Sequence, residues 1–220
     1  MCNLYRMTRG RDEVARWFEA LDEAQGSNFG EEVYPSYPGL VVAEGALRQM
    51  SWGFPRVLTG AKGQKLKPKP VNNARTDKLE TGFWRDSFVH RRCLIPLTAW
   101  AEAEGERGAM TRTWLTRPGV ALFAAAGVWR VSGEWGAVYS MVMTESCGVV
   151  SECHERMPVL LAEGDWAQWT GGSPAEALAL CRPFGGEVAM DRTRERWAKP
   201  KAPASAPAAP AAPPAQPSLF

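Results

Sequence analysis

The sequence predicts an α+β fold built on a mainly antiparallel, barrel-like sheet with flanking helices. Three observations carry this expectation. Between residues 92 and 144, short β-rich segments follow one another with no helical stretch between them. That is the pattern of hairpin-connected strands, not of a doubly wound parallel sheet. Helical periodicity is confined to the ends of the chain and a few short stretches. The 220 residues are 45% apolar and include ten tryptophans, most of them expected inside, which suits one core of ordinary domain size.

Each element has its own reason. Residues 8–21 place Val14, Trp17, Phe18 and Leu21 at i, i+3, i+4 and i+7, so they read as an amphipathic helix capped by Thr8. Residues 40–43 and 46–52 read as a hairpin around Glu44-Gly45. Residues 79–88 read as a short helix. Strands are expected at 92–97, 99–103, 113–116, 121–129 and 137–144, with Ser132-Gly133 turning the last two. Residues 158–161 add a strand and 164–169 a helical turn. Ser173-Pro174-Ala175-Glu176 supplies a cap, a proline at the first helical position and the Glu of a capping box. That helix runs to about Cys181, and residues 187–190 form a last short strand. From Lys199 the chain turns almost wholly to Ala and Pro, with little to bury. We therefore expect one domain over residues 1–198 and a disordered tail over 199–220, whose closing Pro-Ser-Leu-Phe is a candidate docking peptide.

Composition excludes several classes. The five cysteines are odd in number and show no C-x-x-C spacing, and there are two histidines. This argues against a zinc site and against a secreted disulfide framework. No cofactor is expected, because the chain has no Walker loop, G-x-G-x-x-G or G-x-S-x-G. It also lacks an apolar leader and any run of transmembrane length. The expected setting is the reducing cytoplasm, at the nucleoid when bound to DNA. Without an oligomer-forming stripe, a monomer is the default.

The formal net charge is only +2, but it is unevenly spread. Between Pro55 and Asp77 there is no acidic residue, while Arg56, Lys62, Lys65, Lys67, Lys69 and Arg75 are basic. With Gly60, Gly63, Pro68 and Pro70 the stretch reads as a mobile basic loop. Arg6, Arg9 and Arg11 add charge near the N-terminus. Such a distribution attracts polyanions, nucleic acid first among them, although charge alone fits a solvated loop equally well.

Cys2 follows Met1, which is normally trimmed before a small residue. Trimming leaves an α-amine of pKa about 7.7–8.0 beside a thiol of about 8.5, both partly reactive near neutrality. An aldehyde meeting this pair forms a Schiff base that the thiol closes into a thiazolidine. Three further polar stations follow. They are Val71-Asn72-Asn73-Ala74-Arg75, then Arg92-Cys93-Leu94-Ile95-Pro96 with Trp100-Ala101-Glu102, then His154-Glu155-Arg156-Met157-Pro158. Taken singly, each fits an ordinary role: Glu102 on a solvent face, His154 and Asn73 in turns, Arg75 in a surface ion pair.

In this order, together with Trp52-Gly53-Phe54, the motifs resemble the SOS response-associated peptidase family, also called abasic site processing proteins. The resemblance runs from Met1 to roughly Met190. It implies a barrel-like fold that binds single-stranded DNA containing an abasic site, with Cys2 joined covalently to the opened sugar aldehyde. It places Asn73, Glu102 and His154 around Cys2, Arg75 on a phosphate and Thr144 near the lesion. A carboxyl and an imidazole suit the proton transfers of ring opening and dehydration. Glu102 is the expected principal acid/base, with a raised pKa, and His154 the second proton-transfer group. Arg6, Lys65, Lys67 and Lys69 are candidate DNA contacts, and Trp52, with Phe54, a candidate stacking platform. The chain departs from the common family pattern at Asn3-Leu4-Tyr5, where many members have Gly-Arg-Phe, and at Arg56-Val57-Leu58, where a tryptophan-rich segment is usual. Junction preference is therefore open. Two other functions remain open as well: an N-terminal-nucleophile cysteine peptidase that removes its own Met1, and a non-covalent DNA-binding module.

Overall fold

The computed structural model describes residues 2–27 and 29–197. In chain order the elements are β1 (Leu4–Arg6), α1 (Arg11–Trp17), β2 (Leu21–Asp22), β3 (Glu32–Val33), β4 (Pro38–Ala43), β5 (Ala46–Trp52), β6 (Phe54–Arg56), β7 (Lys69–Val71) and β8 (Asn73–Arg75). They continue with α2 (Arg85–His90), β9 (Arg92–Leu97), β10 (Ala99–Glu104), β11 (Thr111–Thr116), β12 (Phe123–Ser132), β13 (Gly136–Glu145), β14 (Arg156–Pro158) and β15 (Leu160–Leu161). The last are α3 (Trp166–Gly171), α4 (Pro174–Ala179) and β16 (Ala189–Arg196). The expected α+β class with a mainly antiparallel barrel-like sheet is what the chain forms.

Five strands close on themselves. The pairs β5–β4, β4–β9, β9–β12 and β12–β13 are antiparallel. A parallel pairing of β13 with β5, Val138 to Ser51 and Tyr139 to Trp52, completes the ring. Closure leaves these five strands no open edge. β8 and β14 extend the far end of β13, β8 in parallel and β14 antiparallel. A second sheet, in the order β16-β11-β10-β1-β3, is antiparallel throughout. The main core holds Trp52, Trp100, Trp169, Tyr5, Tyr139 and Phe123, all buried. A small second cluster of Leu4, Tyr34, Ala99, Ala101 and Trp114 covers the other face of the second sheet. Six of the ten tryptophans are buried.

Local chemistry explains the agreements. Glu44 and Gly45 both take positive φ, 53° and 75°, so the β4–β5 hairpin turns on the mirror-image geometry that matches strand twist. Ser173 Oγ accepts the Glu176 N–H while the Glu176 carboxylate accepts the Ser173 N–H, the expected capping box.

Three expectations are corrected. The helix expected over 8–21 is only α1, preceded by Gly10 at its cap position, not Thr8. The chain leaves it through Glu19 at φ 48°, so Leu21 enters β2 and lies exposed, as does Trp17. Only Val14 and Phe18 of the apolar stripe are buried. The helix expected over 79–88 forms later, as α2, after a 3-10 turn at Thr76–Lys78. The basic stretch is an ordered hairpin arm: β6 pairs β7 with Pro55 opposite Pro70, and Thr59 bridges Lys65 farther out. Gly53, at φ 124°, permits the arm to leave the barrel, because a Cβ there would lie 2.5 Å from Pro70 Cβ. The tail expected over 199–220 lies outside the described residues.

Candidate active site

The site forms at the seam between the second sheet and the end of β13. Antiparallel pairing of β1 with β10 sets Leu4 opposite Ala101 and Tyr5 opposite Trp100. Cys2, just upstream, is thereby brought to Glu102, whose charge raises the pKa of the Cys2 thiol. Glu102 follows Trp100 at period two on the interior face of β10. It is only 2% exposed, not solvated as its isolated position in the sequence permits. Burial pushes its carboxyl up to about 7, against the pull of the chain's N-terminal amine.

β8, in parallel register with β13, sets Asn73 beside Met141. Asn73 Nδ2 donates to the Cys2 carbonyl at 2.7 Å, and Asn72 Nδ2 donates to the same oxygen at 2.9 Å. Asn72 also reaches Asn3 Oδ1 at 3.1 Å. Its own carbonyl is held by the Trp52 indole N–H and the Met141 N–H, each at 2.9 Å. Asn73 Oδ1 is buried without a donor among the described residues.

His154 stands between a 3-10 turn at Gly148–Glu152 and β14, half-buried. Its Nδ1 lies 2.9 Å from the Arg156 nitrogen, whose N–H it accepts in one tautomer, and 3.0 Å from the Arg156 carbonyl oxygen, to which it donates in the other. Burial, seconded by the N-terminal amine's charge, pulls its pKa below the ordinary value, which keeps the ring neutral at physiological pH. Thr144, near the end of β13 and opposite Met157 of β14, is buried. The Cys2 thiol is buried too. Burial and the Glu102 charge hold its pKa above the usual range, while its contact with the Leu4 carbonyl at 3.5 Å works weakly the other way. This sulfur is therefore S–H, not thiolate, at neutral pH. The Glu102 charge acts on the Cys2 thiol and on that of Cys153, the residue before His154, which brings these stations to one locality.

Other residues nominated from the sequence stand apart. Arg75 follows Asn73 on β8 and is exposed, its guanidinium paired with both oxygens of Asp77 at 2.8 and 2.7 Å. Lys65, Lys67 and Lys69 are exposed along the arm. Arg6 lies on the opposite face of β1 from Tyr5, bonded to Glu32 at 2.9 Å and stacked 3.7 Å from the Trp114 ring centroid. Trp52 is a correction: it is wholly buried between Tyr5 and Tyr139, so its ring presents no face to a base. Its work is to hold Asn72. Asn72 itself was not assigned from the sequence, and the Asn72-Asn73 doublet was the signal for it.

The assembly offers a neutral-to-ionised carboxyl poised near pH 7, a neutral imidazole, a protonated thiol and a backbone carbonyl clamped by two amides. These are parts for proton transfer around the chain's second residue. Among the described residues no three His, Cys, Asp or Glu side chains converge to hold a metal ion.

Several known proteins are similar to this chain. The Abasic site processing protein YoaM of Bacillus subtilis is 26% identical over 151 residues, which cover 63% of this chain and 63% of that protein, under two thirds of its length. The Abasic site processing protein YoqW of the same species is 25% identical over 205 residues, 84% of this chain and 88% of YoqW. Among solved structures, a Bacteroides thetaiotaomicron protein matches with TM-score 0.72 at 18% identity, covering 87% of this chain and 91% of its own. A Bordetella bronchiseptica protein matches with TM-score 0.71 at 19% identity, covering 87% and 99%. These two show the fold. The family profile described as SOS response associated peptidase (SRAP) matches residues 1–196. With that match across nearly all of its described length, this chain belongs to the SOS response associated peptidase family.

Proposed function

We propose that this protein processes abasic sites in single-stranded DNA by covalent capture through Cys2 once Met1 has been removed. One observation carries the proposal: the Cys2 carbonyl is clamped by Asn72 and Asn73 beside a buried carboxyl, Glu102, whose pKa is about 7. Two relatives named as abasic site processing proteins support it.

In this scheme the closed abasic sugar opens as a base removes the C1′ hydroxyl proton and an acid protonates the ring oxygen. Glu102 and the His154 imidazole fill these roles, since a group with pKa near the working pH serves as both acid and base. The Cys2 α-amine adds to the aldehyde carbon. Protonation of the resulting hydroxyl, with loss of one water, leaves the imine. The thiol then adds to the imine carbon, its proton passing through the Glu102 carboxylate to the imine nitrogen, and the thiazolidine closes. The raised thiol pKa favours this order, amine first and sulfur second. Asn73 Oδ1 is an unused acceptor for an amine or sugar hydroxyl proton. Arg75 and the arm lysines supply phosphate contacts.

The test uses Met1-processed protein and a single-stranded oligonucleotide bearing one abasic site. A denaturation-resistant adduct is expected, with a mass equal to protein plus oligonucleotide less one water, and Cys2→Ala should form none. An equal adduct from Cys2→Ala defeats the proposal. Whether the protein removes its own Met1 is read from the N-terminal mass of Glu102→Gln made without methionine aminopeptidase. Retained Met1 there, against trimmed Met1 in the parent sequence, makes the step autoproteolytic.

A further inference from the structure

Tyr5 Oη and Tyr139 Oη lie 2.5 Å apart, and both side chains are wholly buried. An unpartnered buried hydroxyl costs about 1–3 kcal/mol, and these two satisfy each other. The strands that carry them belong to different sheets. Tyr5 is on β1, three residues after Cys2. Tyr139 is on β13, two residues before Met141, the register partner of Asn73, and five before Thr144. The hydroxyl contact therefore joins the strand that directly follows Cys2 to the strand that aligns its companions.

Other features single out the pair. Trp52 packs edge-on against Tyr5 at 5.1 Å and stacks along Tyr139 at 6.4 Å, while its N–H holds the Asn72 carbonyl. Asn72 in turn holds Cys2. A closed chain of contacts thus runs from Cys2 through Asn72 and Trp52 to the two tyrosines, and back along β1. Gly39 of β4 leaves the space the hydroxyls occupy, since a Cβ there would overlap both oxygens. A spot so tightly reserved for two hydroxyls in an apolar core is costly unless their contact is used. Burial keeps both phenols protonated.

We propose that the Tyr5–Tyr139 hydroxyl pair is a positioning device that fixes Cys2 relative to Asn73 and Thr144. The pair acts through the strands and touches no substrate. The proposal rests on the covalent-capture scheme above for its kinetic consequence, but the placement of Cys2 has a readout of its own.

The experiment compares Tyr5→Phe, Tyr139→Phe and the double variant with the Met1-processed parent. Three quantities are measured: the adduct-forming rate at saturating abasic oligonucleotide, the Kd for an uncleavable abasic analogue, and the rate of Cys2 alkylation by iodoacetamide, followed by mass. Loss of one neutral hydrogen bond, worth about 1 kcal/mol, converts to roughly fivefold. Each single variant should lose about fivefold or more in adduct rate with Kd within about twofold, and should alkylate faster at Cys2. The double variant should be no worse than the poorer single, because the pair works as a unit. Ser173→Ala, destabilised by about 1 kcal/mol at a distant helix cap, should keep the parent's rates. Parent-like adduct and alkylation rates in Tyr5→Phe overturn the proposal, as does a loss in Ser173→Ala matching that in the tyrosine variants. Absence of adduct in the parent itself defeats the capture scheme, and the alkylation rates then decide the positioning role alone.

Discussion

The carboxamide of Asn73 donates to the carbonyl of Cys2 at 2.7 Å, a buried bond between residues 71 positions apart. It locks the backbone on which the proposed nucleophiles sit. Asn73→Ala removes that donor and leaves Asn72 to hold the oxygen alone. Adduct formation should fall about tenfold or more, with a stability loss of about 1–2 kcal/mol. Single-turnover adduct assays and urea denaturation measure the two effects separately. A parent-like rate would remove Asn73 from the site.

Glu102 makes stability depend on pH. Its folded pKa, about 7, stands above the ordinary 4.5, so the folded state binds more protons than the unfolded state between those values. Its neutral form is tolerated below 4.5. Stability is then lost as pH rises through 7, where a buried charge must be carried. Glu102→Gln should gain on the parent by on the order of 3 kcal/mol between pH 4.5 and pH 8. Urea titrations of both proteins across that range test this, and a pH-independent difference counts against the raised pKa. The same substitution should slow adduct formation.

The hairpin arm presents Lys65, Lys67 and Lys69 to solvent. If each meets a phosphate, replacing all three with Gln should lower the slope of log K against log salt by about 2, at roughly 0.7 per phosphate for single strands. The adduct rate at saturating DNA should hardly change. An unchanged salt slope would show that the arm does not meet the DNA.

Arg75 is occupied by Asp77 through both carboxylate oxygens, the geometry a phosphate would adopt. Asp77→Asn frees the guanidinium and should tighten binding of single-stranded DNA by a few-fold at low salt. Arg75→Gln should cancel that gain in the double variant. Fluorescence anisotropy with a labelled oligonucleotide measures both, and weaker binding by Asp77→Asn would contradict the exchange.

Legibility from sequence followed length and burial. Residues 92–97 form β9 as expected because the apolar run at 93–97 fits a strand buried on both faces. β1 was not seen because three residues carry no period, and the arm was not seen as a hairpin because Pro55 and Pro70 argue against pairing. α1 was over-extended because the apolar stripe continues to Leu21, while the left-handed turn at Glu19 leaves no mark in the pattern. At the site, Cys2, Asn73, Glu102 and His154 were legible as ordered motifs. The burial of Trp52 was not, since its neighbours in sequence are the basic arm. Nor was the capture of Arg6 by Glu32, which follows from a β1–β3 pairing only two residues long.

The pairing of β1 with β10 also sets a timetable. The first strand to leave the ribosome waits for a partner made about a hundred residues later, which at roughly 5–20 residues per second is about 5–20 s. Throughout that interval the peptide bond before Cys2 is open to trimming enzymes. Once β10 docks, Cys2 has no exposed surface. Under the proposed capture scheme, N-terminal maturation by an outside enzyme is thus a race against translation, and the share of capture-competent molecules in a culture follows expression rate as much as sequence.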